Sequence, residues 1–198
     1  KKVDVFDLIK GMNLSSLVRN EVCTNPNNEN EIENILNTNI YSKYSKLFNK
    51  TKILDFKSEP NGFGSTTHIS ILDKKGNAVS ITTTNGEGCG YIIPEYGIMM
   101  NNMLGEDDLN PFGFHNWSKK RRLPTMLSPI IITEKSKPKF ILGSGGSNRI
   151  RSANIQVIIN LLVNKMKLSD AISSSRIHLE GNTLFYEPGI KIPYEKIK

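Results

Sequence analysis

The 198-residue sequence predicts an α+β fold in which a β-sheet is covered on both faces. Three observations carry the prediction. Residues 66–84 hold two alternating runs around the turn Asp73-Lys74-Lys75-Gly76-Asn77. Ser128-Pro129-Ile130-Ile131-Ile132-Thr133 and Lys139-Phe140-Ile141-Leu142 form a second strand pair that is apolar on both sides. Residues 148–165 then carry apolar side chains at helical spacing, with Ile150, Ala153, Val157 and Leu161 on one stripe.

Taken in order, residues 3–19 place Val5, Leu8 and Ile9 on one side and resume with Leu14, Leu17 and Val18 after Gly11, which reads as two short helices. Asn25-Pro26-Asn27-Asn28-Glu29-Asn30-Glu31 is a polar, turn-rich loop, followed by helices over 31–36 and 41–48. Residues 54–62 are polar and end in the turn signal Glu59-Pro60-Asn61-Gly62, which exposes the residues just after it. From Thr66 the texture becomes that of a strand: His68, Ser70 and Leu72 face one way, Thr67, Ile69 and Ile71 the other, and residues 78–84 return as its hairpin partner.

Asn85-Gly86-Glu87-Gly88-Cys89-Gly90 is glycine-rich but opens no helix, and no acidic residue comes after it at dinucleotide-binding spacing. Its glycines are read as points of close backbone approach. Ile98-Met99-Met100-Asn101-Asn102-Met103 is a short apolar segment, and Glu106, Asp107 and Asp108 then group three carboxylates. As a metal site they are weak, because the nearest His in sequence is His115. Residues 109–124 form a loop long enough to be a lid or binding loop. Gly143-Ser144-Gly145-Gly146 leads into the helix over 148–165, with Ser147 as N-cap and Lys165 and Lys167 at the other end. A glycine turn there offers N–H groups to an anion, and the plain alternative is a strand-to-helix turn with no ligand. A short helix over 169–175 and a strand over 183–186, closed by Pro188-Gly189, complete the chain.

Composition removes other classes. No run of 18 apolar residues exists, so no membrane-spanning segment is expected. Asp4, Asp7 and Lys10 interrupt what a signal peptide would keep apolar, and the missing initiator Met suggests that an upstream part was removed or omitted. Net charge is +7, with Lys119-Lys120-Arg121-Arg122 the densest cluster. No aromatic residues alternate with those charges as a nucleic-acid stacking platform requires, so the cluster reads as a solvated loop. Cys23 and Cys89 lie far apart and read as free thiols.

The chemistry centres on Phe63-Gly64-Ser65-Thr66-Thr67-His68-Ile69-Ser70. Alone, Thr-Thr-His is ordinary strand sequence. A Thr that becomes a chain's first residue, however, holds a nucleophile and a base together: its hydroxyl attacks and its α-amine, of pKa roughly 7.7–8.0, takes the proton.

Thr66-Thr67-His68-x-Ser70, Asp73-x-x-Gly76-Asn77-Ala78-Val79, Thr82-x-Thr84, Gly97-Ile98-x-x-Asn101-Asn102 and Gly143-Ser144-x-Gly146 with Arg149-Ile150 occur in an order and spacing that resemble gamma-glutamyltransferases over residues 63–189. The resemblance implies an N-terminal nucleophile hydrolase: two central sheets layered between helices in an αββα sandwich, made as a precursor that cleaves itself. It puts the nucleophile on Thr66, the cleavage between Ser65 and Thr66, and the hydroxyl that orients the nucleophile on Thr84. The oxyanion amides fall on Gly145 and Gly146, or, with no gap, on Gly146 and Ser147. The substrate's α-amino group falls to Asp107 or Glu106, its α-carboxylate to Thr125, and Asn85 and Asn102 complete the pocket. Residues 1–65 then correspond to the end of a large subunit and 66–198 to most of a small one. The implied partners are a glutathione-like γ-glutamyl substrate, water or an amino-acid or peptide acceptor, and an upstream large-subunit segment. No cofactor, metal or nucleic acid is called for.

The sequence departs from that pattern in the pocket. Asn85 comes directly after Thr84, leaving Gly86 where the family has Asn; Met103 stands where better-known members have Gln; Thr125-Met126 replaces a serine pair. Acyl transfer is therefore better supported than glutamyl specificity. The rival readings are a related acylase of different acyl specificity and a catalytically silent homologue or basic binding module.

Overall fold

The computed structural model describes residues 2–23, 44, 53, 55–57, 66–110, 113–116, 123, 125–192 and 195. The expected loop over 25–31, most of the helices over 31–36 and 41–48, the turn at 59–62 and the basic cluster at 119–122 lie outside them. The chain divides into two compact units, one of residues 1–60, 116–120 and 156–198, the other of residues 61–115 and 121–155.

The first unit packs helix α1 (Val5–Cys23) against a three-stranded sheet of β1 (Asp55–Lys57), β8 (Ile177–Glu180) and β9 (Thr183–Tyr186). The expected break at Gly11 does not occur. One exposed Gly costs a helix about 1 kcal/mol against Ala, less than the packing of Ile9 and its neighbours returns. Strand β9 is central, parallel to β1 and antiparallel to β8. Ile9, Ile53, Ile177, Leu179, Leu184 and Ile192 form its core, with Val5, Leu8 and Met12 packed against it at helical spacing along α1.

In the second unit, β2 (Thr66–Leu72) and β3 (Ala78–Thr84) pair antiparallel in full register from Thr66↔Thr84 to Leu72↔Ala78. The loop between them is tied by Asp73, whose carboxylate accepts from the Lys75 and Asn77 N–H groups and the Asn77 amide. A two-residue pairing, β4 (Ile92–Ile93) with β5 (Ile98–Met99), comes next; only its second half was visible as an apolar segment. Strands β6 (Ile130–Glu134) and β7 (Lys137–Leu142) make the second hairpin. Its turn is only Lys135-Ser136, both at positive φ as a type I′ turn requires, so Pro138 falls inside β7, where the register shifts between Ile132 and Thr133.

Two expectations are corrected here. Among the described residues the β2–β3 pair is not covered on both sides: Ile69, Ile71, Val79 and Ile81, on one face, are 50%, 52%, 40% and 46% exposed. The long helix is shorter at both ends. A 3₁₀ turn (Ser147–Arg149) precedes α2 (Ile150–Leu162), and Ser147, at φ 54, caps nothing. Lys165 and Lys167 lie beyond its end. Ser152, Asn154 and Gln156 are buried while Ile155 is 44% exposed. Amides occupy that face because they bond backbone: Asn154 donates to the Ser128 carbonyl and Gln156 pairs with both backbone groups of Ile177. Helix α3 (Leu168–Ser173) falls where a short helix was expected.

Candidate active site

Thr66 opens β2, and its cross-strand partner is Thr84, the last residue of β3. In antiparallel pairs, directly opposed side chains lie about 5 Å apart at Cβ, within reach of a hydroxyl pair. The Thr66 hydroxyl donates to the Thr84 hydroxyl at 3.0 Å, and the Gly86 N–H donates to the same oxygen at 3.0 Å. Thr84 is therefore fixed by its own turn and presents a placed acceptor to Thr66. Both side chains are partly buried.

The next two cross-strand pairs continue the row on the same face: His68 with Thr82, then Ser70 with Ser80. The His68 ring lies 2.8 Å from the Thr82 hydroxyl through Nδ1 and 3.0 Å from the Ser70 hydroxyl through Nε2. The sequence offered no role for this histidine. The Ser70 and Ser80 hydroxyls donate to the carbonyls of Ile141 and Leu142, each at 3.2 Å, at the end of β7.

Those carbonyls immediately precede the glycine loop. A side chain at Gly143 would overlap the His68 ring, and a Cβ at Gly145 would come within 2.5 Å of the Thr66 carbonyl oxygen. Close backbone approach is what glycine permits, and here it brings the loop onto Thr66. Gly146, at φ 121, turns the chain toward the 3₁₀ turn. Among the described residues, neither the Gly145 nor the Gly146 N–H has a protein acceptor. The helix start is 3₁₀ rather than the α-helical N-terminus expected, so any oxyanion role falls to the loop amides themselves.

The pocket candidates separate. Asn102 and Glu106 converge on Gly86, which is buried and at φ 65; a side chain there would overlap Asn102 Oδ1 and Glu106 Oε1. Asn102 Oδ1 also accepts from the Glu87 N–H at 2.8 Å. Asp107 is exposed at the start of a 3₁₀ turn (Asp107–Leu109). Asn85 is exposed, its carbonyl accepting from Gly88 and Asn102. Thr125 is exposed and accepts from the Leu127 N–H; none of the described contacts joins it to the Thr66 pair. Ser65 lies outside the described residues. No group of His, Cys, Asp or Glu suited to a metal occurs among the described residues. No described helix is long and apolar enough to cross a membrane. Cys89 is a free, exposed thiol, as read from its spacing, and the side chain of Cys23 lies outside what is described.

Comparison with known proteins gives the same direction. The family model for gamma-glutamyltranspeptidase matches residues 4–196. The glutathione hydrolase proenzyme of Bacillus subtilis strain 168 is 33% identical over 130 residues, covering 64% of this chain and 22% of the relative. The acylase ACY 1 proenzyme of Pseudomonas sp. strain SE83 is also 33% identical, over 127 residues, 63% of this chain and 23% of the relative. The chain thus spans under a quarter of the length of these curated relatives. Among solved structures, a gamma-glutamyltranspeptidase from Pseudomonas nitroreducens in complex with L-DON superimposes with a TM-score of 0.57 at 26% identity, covering 64% of this chain and 73% of that one.

Proposed function

This chain belongs to the gamma-glutamyltranspeptidase family, and from that premise we propose that it carries the nucleophile of a γ-glutamyl acyl transferase or hydrolase, with Thr66 as the reacting residue. The observation that carries the reading is the placed hydroxyl pair Thr66–Thr84 with the Gly145 backbone against Thr66.

In the maturation step, the Thr66 hydroxyl adds to the Ser65 carbonyl carbon. The Ser65–Thr66 amide bond breaks as an ester to Thr66 Oγ1 forms, and water hydrolyses that ester, leaving residue 65 with a carboxylate and Thr66 with a free amine. In turnover the hydroxyl adds to the γ-carbonyl of a glutathione-like donor while the Thr66 amine takes its proton. The Gly145 and Gly146 amides stabilise the oxyanion, the amine returns the proton to the departing amine, and the acyl ester passes to water or to an amino-acid or peptide acceptor. Thr84 holds the hydroxyl in line.

For the substrate's α-amino group we assign Glu106 with Asn102, not Asp107, because Glu106 reaches the Gly86 turn that fixes Thr84. Thr125 and Asn85 keep the secondary roles that the resemblance implies, at the α-carboxylate and the pocket edge. Residues 1–65 act as the end of a large-subunit-like portion and 66–198 as the small-subunit-like portion. The open Ile69, Ile71, Val79 and Ile81 face is the surface that an upstream large-subunit-like segment covers.

A second reading keeps the chemistry and changes the acyl group. It is favoured by Gly86 in place of an Asn, by Met103, and by the likeness to an acylase proenzyme. Steady-state kinetics of the full-length protein on γ-glutamyl and on other acyl anilides decides between them. Turnover of γ-glutamyl anilide that disappears in Thr66→Ala supports the first reading; turnover of other acyl anilides alone supports the second. No Thr66-dependent turnover on either leaves a silent homologue.

A further inference from the structure

We propose that His68 is a positioning residue for the reaction: its ring sets where the loop 143–146 meets Thr66. The inference rests on the reading above, in which Thr66 attacks and the loop amides hold the oxyanion.

Three cross-strand pairs make one polar row, Thr66/Thr84, His68/Thr82 and Ser70/Ser80, and the end of β7 with the glycine loop runs beside it in step. Ile141 and Leu142 are held by Ser70 and Ser80, Gly143 lies on the His68 ring, and Gly145 lies on Thr66. The middle of the row therefore governs the spacing between an anchored strand end and the nucleophile.

The hydrogen bonds also fix the ring's orientation. A serine hydroxyl has one proton, and that of Ser70 goes to the Ile141 carbonyl, which can only accept. Ser70 must then accept from Nε2–H, while Nδ1 is held against the Thr82 hydroxyl at 2.8 Å. A continuous polar chain links Thr82, His68, Ser70 and the Ile141 carbonyl. A ring tied at both nitrogens is a rigid spacer, and Gly143 is the residue that lets the loop rest directly on it.

The test uses the full-length protein, with kcat counted per Thr66 that a substrate acylates, so that misfolded or uncut molecules do not enter. His68→Ala should lower kcat by about 10- to 100-fold, the scale of a displacement near 1 Å at a reacting centre. KM should stay within about twofold, because binding groups are untouched. His68→Gln, which keeps a donor and an acceptor, should recover part of the loss. Gly143→Ala should be at least as damaging, since its methyl would overlap the ring, and adding His68→Ala should raise kcat above that of Gly143→Ala alone. Losses that multiply in the double variant, or a wild-type kcat in His68→Ala, overturn the inference while leaving Thr66 chemistry intact. Absence of Thr66-dependent turnover in the wild type overturns the functional reading and this inference together.

Discussion

Removing the Thr84 hydroxyl takes away the acceptor that holds the Thr66 proton at 3.0 Å, so Thr84→Ala should lower kcat by about 100-fold with little change in folding stability. Thr84→Ser should restore most of it, and steady-state kinetics beside thermal unfolding would separate the two quantities. Gly145→Ala tests the other side of the site. A methyl there would come within 2.5 Å of the Thr66 carbonyl oxygen, so backbone must shift, and the amide proposed to hold the oxyanion moves with it. Loss of one such donor costs about 10²- to 10³-fold in kcat. At this scale only the family resemblance pointed to Thr84 as the partner of Thr66; the hairpin joined by Asp73-Lys74-Lys75-Gly76-Asn77 supplies the physical reason, since it puts the first residue of one strand opposite the last of the other. The place of His68 was not legible in the sequence. Its neighbour Gly143 is 75 residues away, and no local pattern reports a contact that distant. The choice between Glu106 and Asp107 was equally closed, since consecutive residues differ only by which way a 3₁₀ turn aims them.

The hairpin that carries Thr66 depends on its loop. Hydrogen bonds from the Asn77 side chain, then its backbone, hold the Asp73 carboxyl below the ordinary carboxylate range. A carboxylate with a lowered folded-state pKa contributes stability above its unfolded value and loses it as pH falls through the folded value. Asp73→Ala should therefore be less stable than wild type at neutral pH, and the difference should shrink in acid; urea unfolding across pH reads this directly. In the other sheet, Leu184 is fully buried on the central strand β9, and Leu184→Ala should cost about 2–5 kcal/mol, measured the same way. The longer strands could be read in advance, β2 and β3 by their alternation and β6 and β7 as short apolar runs. The three residues of β1 and the two each of β4 and β5 are too short to show a period. Strand β8 had usable signals, the short alternation Ile177-His178-Leu179-Glu180 and Gly181-Asn182 as a two-residue turn before Thr183, but its burial does not follow the alternation, because His178 is buried as well. Helix α2 misled for a related reason: periodicity counts apolar residues, whereas Asn154 and Gln156 are buried because each satisfies backbone groups.

On the scale of the molecule, the fold is that of an N-terminal nucleophile hydrolase in part, an α+β chain sharing its architecture with gamma-glutamyltranspeptidases. That class was legible from ordered motifs; the open isoleucine face was not, because a strand's sequence says which residues want cover and not which segment supplies it. A cut before Thr66 would sever none of the described elements, and β1 would remain hydrogen-bonded to β9 across the two products while α1 stays packed on the core around β8. The pieces should therefore elute together on native size exclusion and separate only in denaturant. The central claim, that Thr66 becomes a free N-terminal nucleophile, is tested most directly by intact-protein mass spectrometry of the mature full-length protein after brief exposure to a γ-glutamyl donor. The account predicts one fragment ending at Ser65 and one beginning at Thr66, the second carrying an added acyl group on Thr66, and a single uncut, unlabelled species for Thr66→Ala. A wild-type protein that turns over substrate while Thr66 remains joined to Ser65 would contradict it.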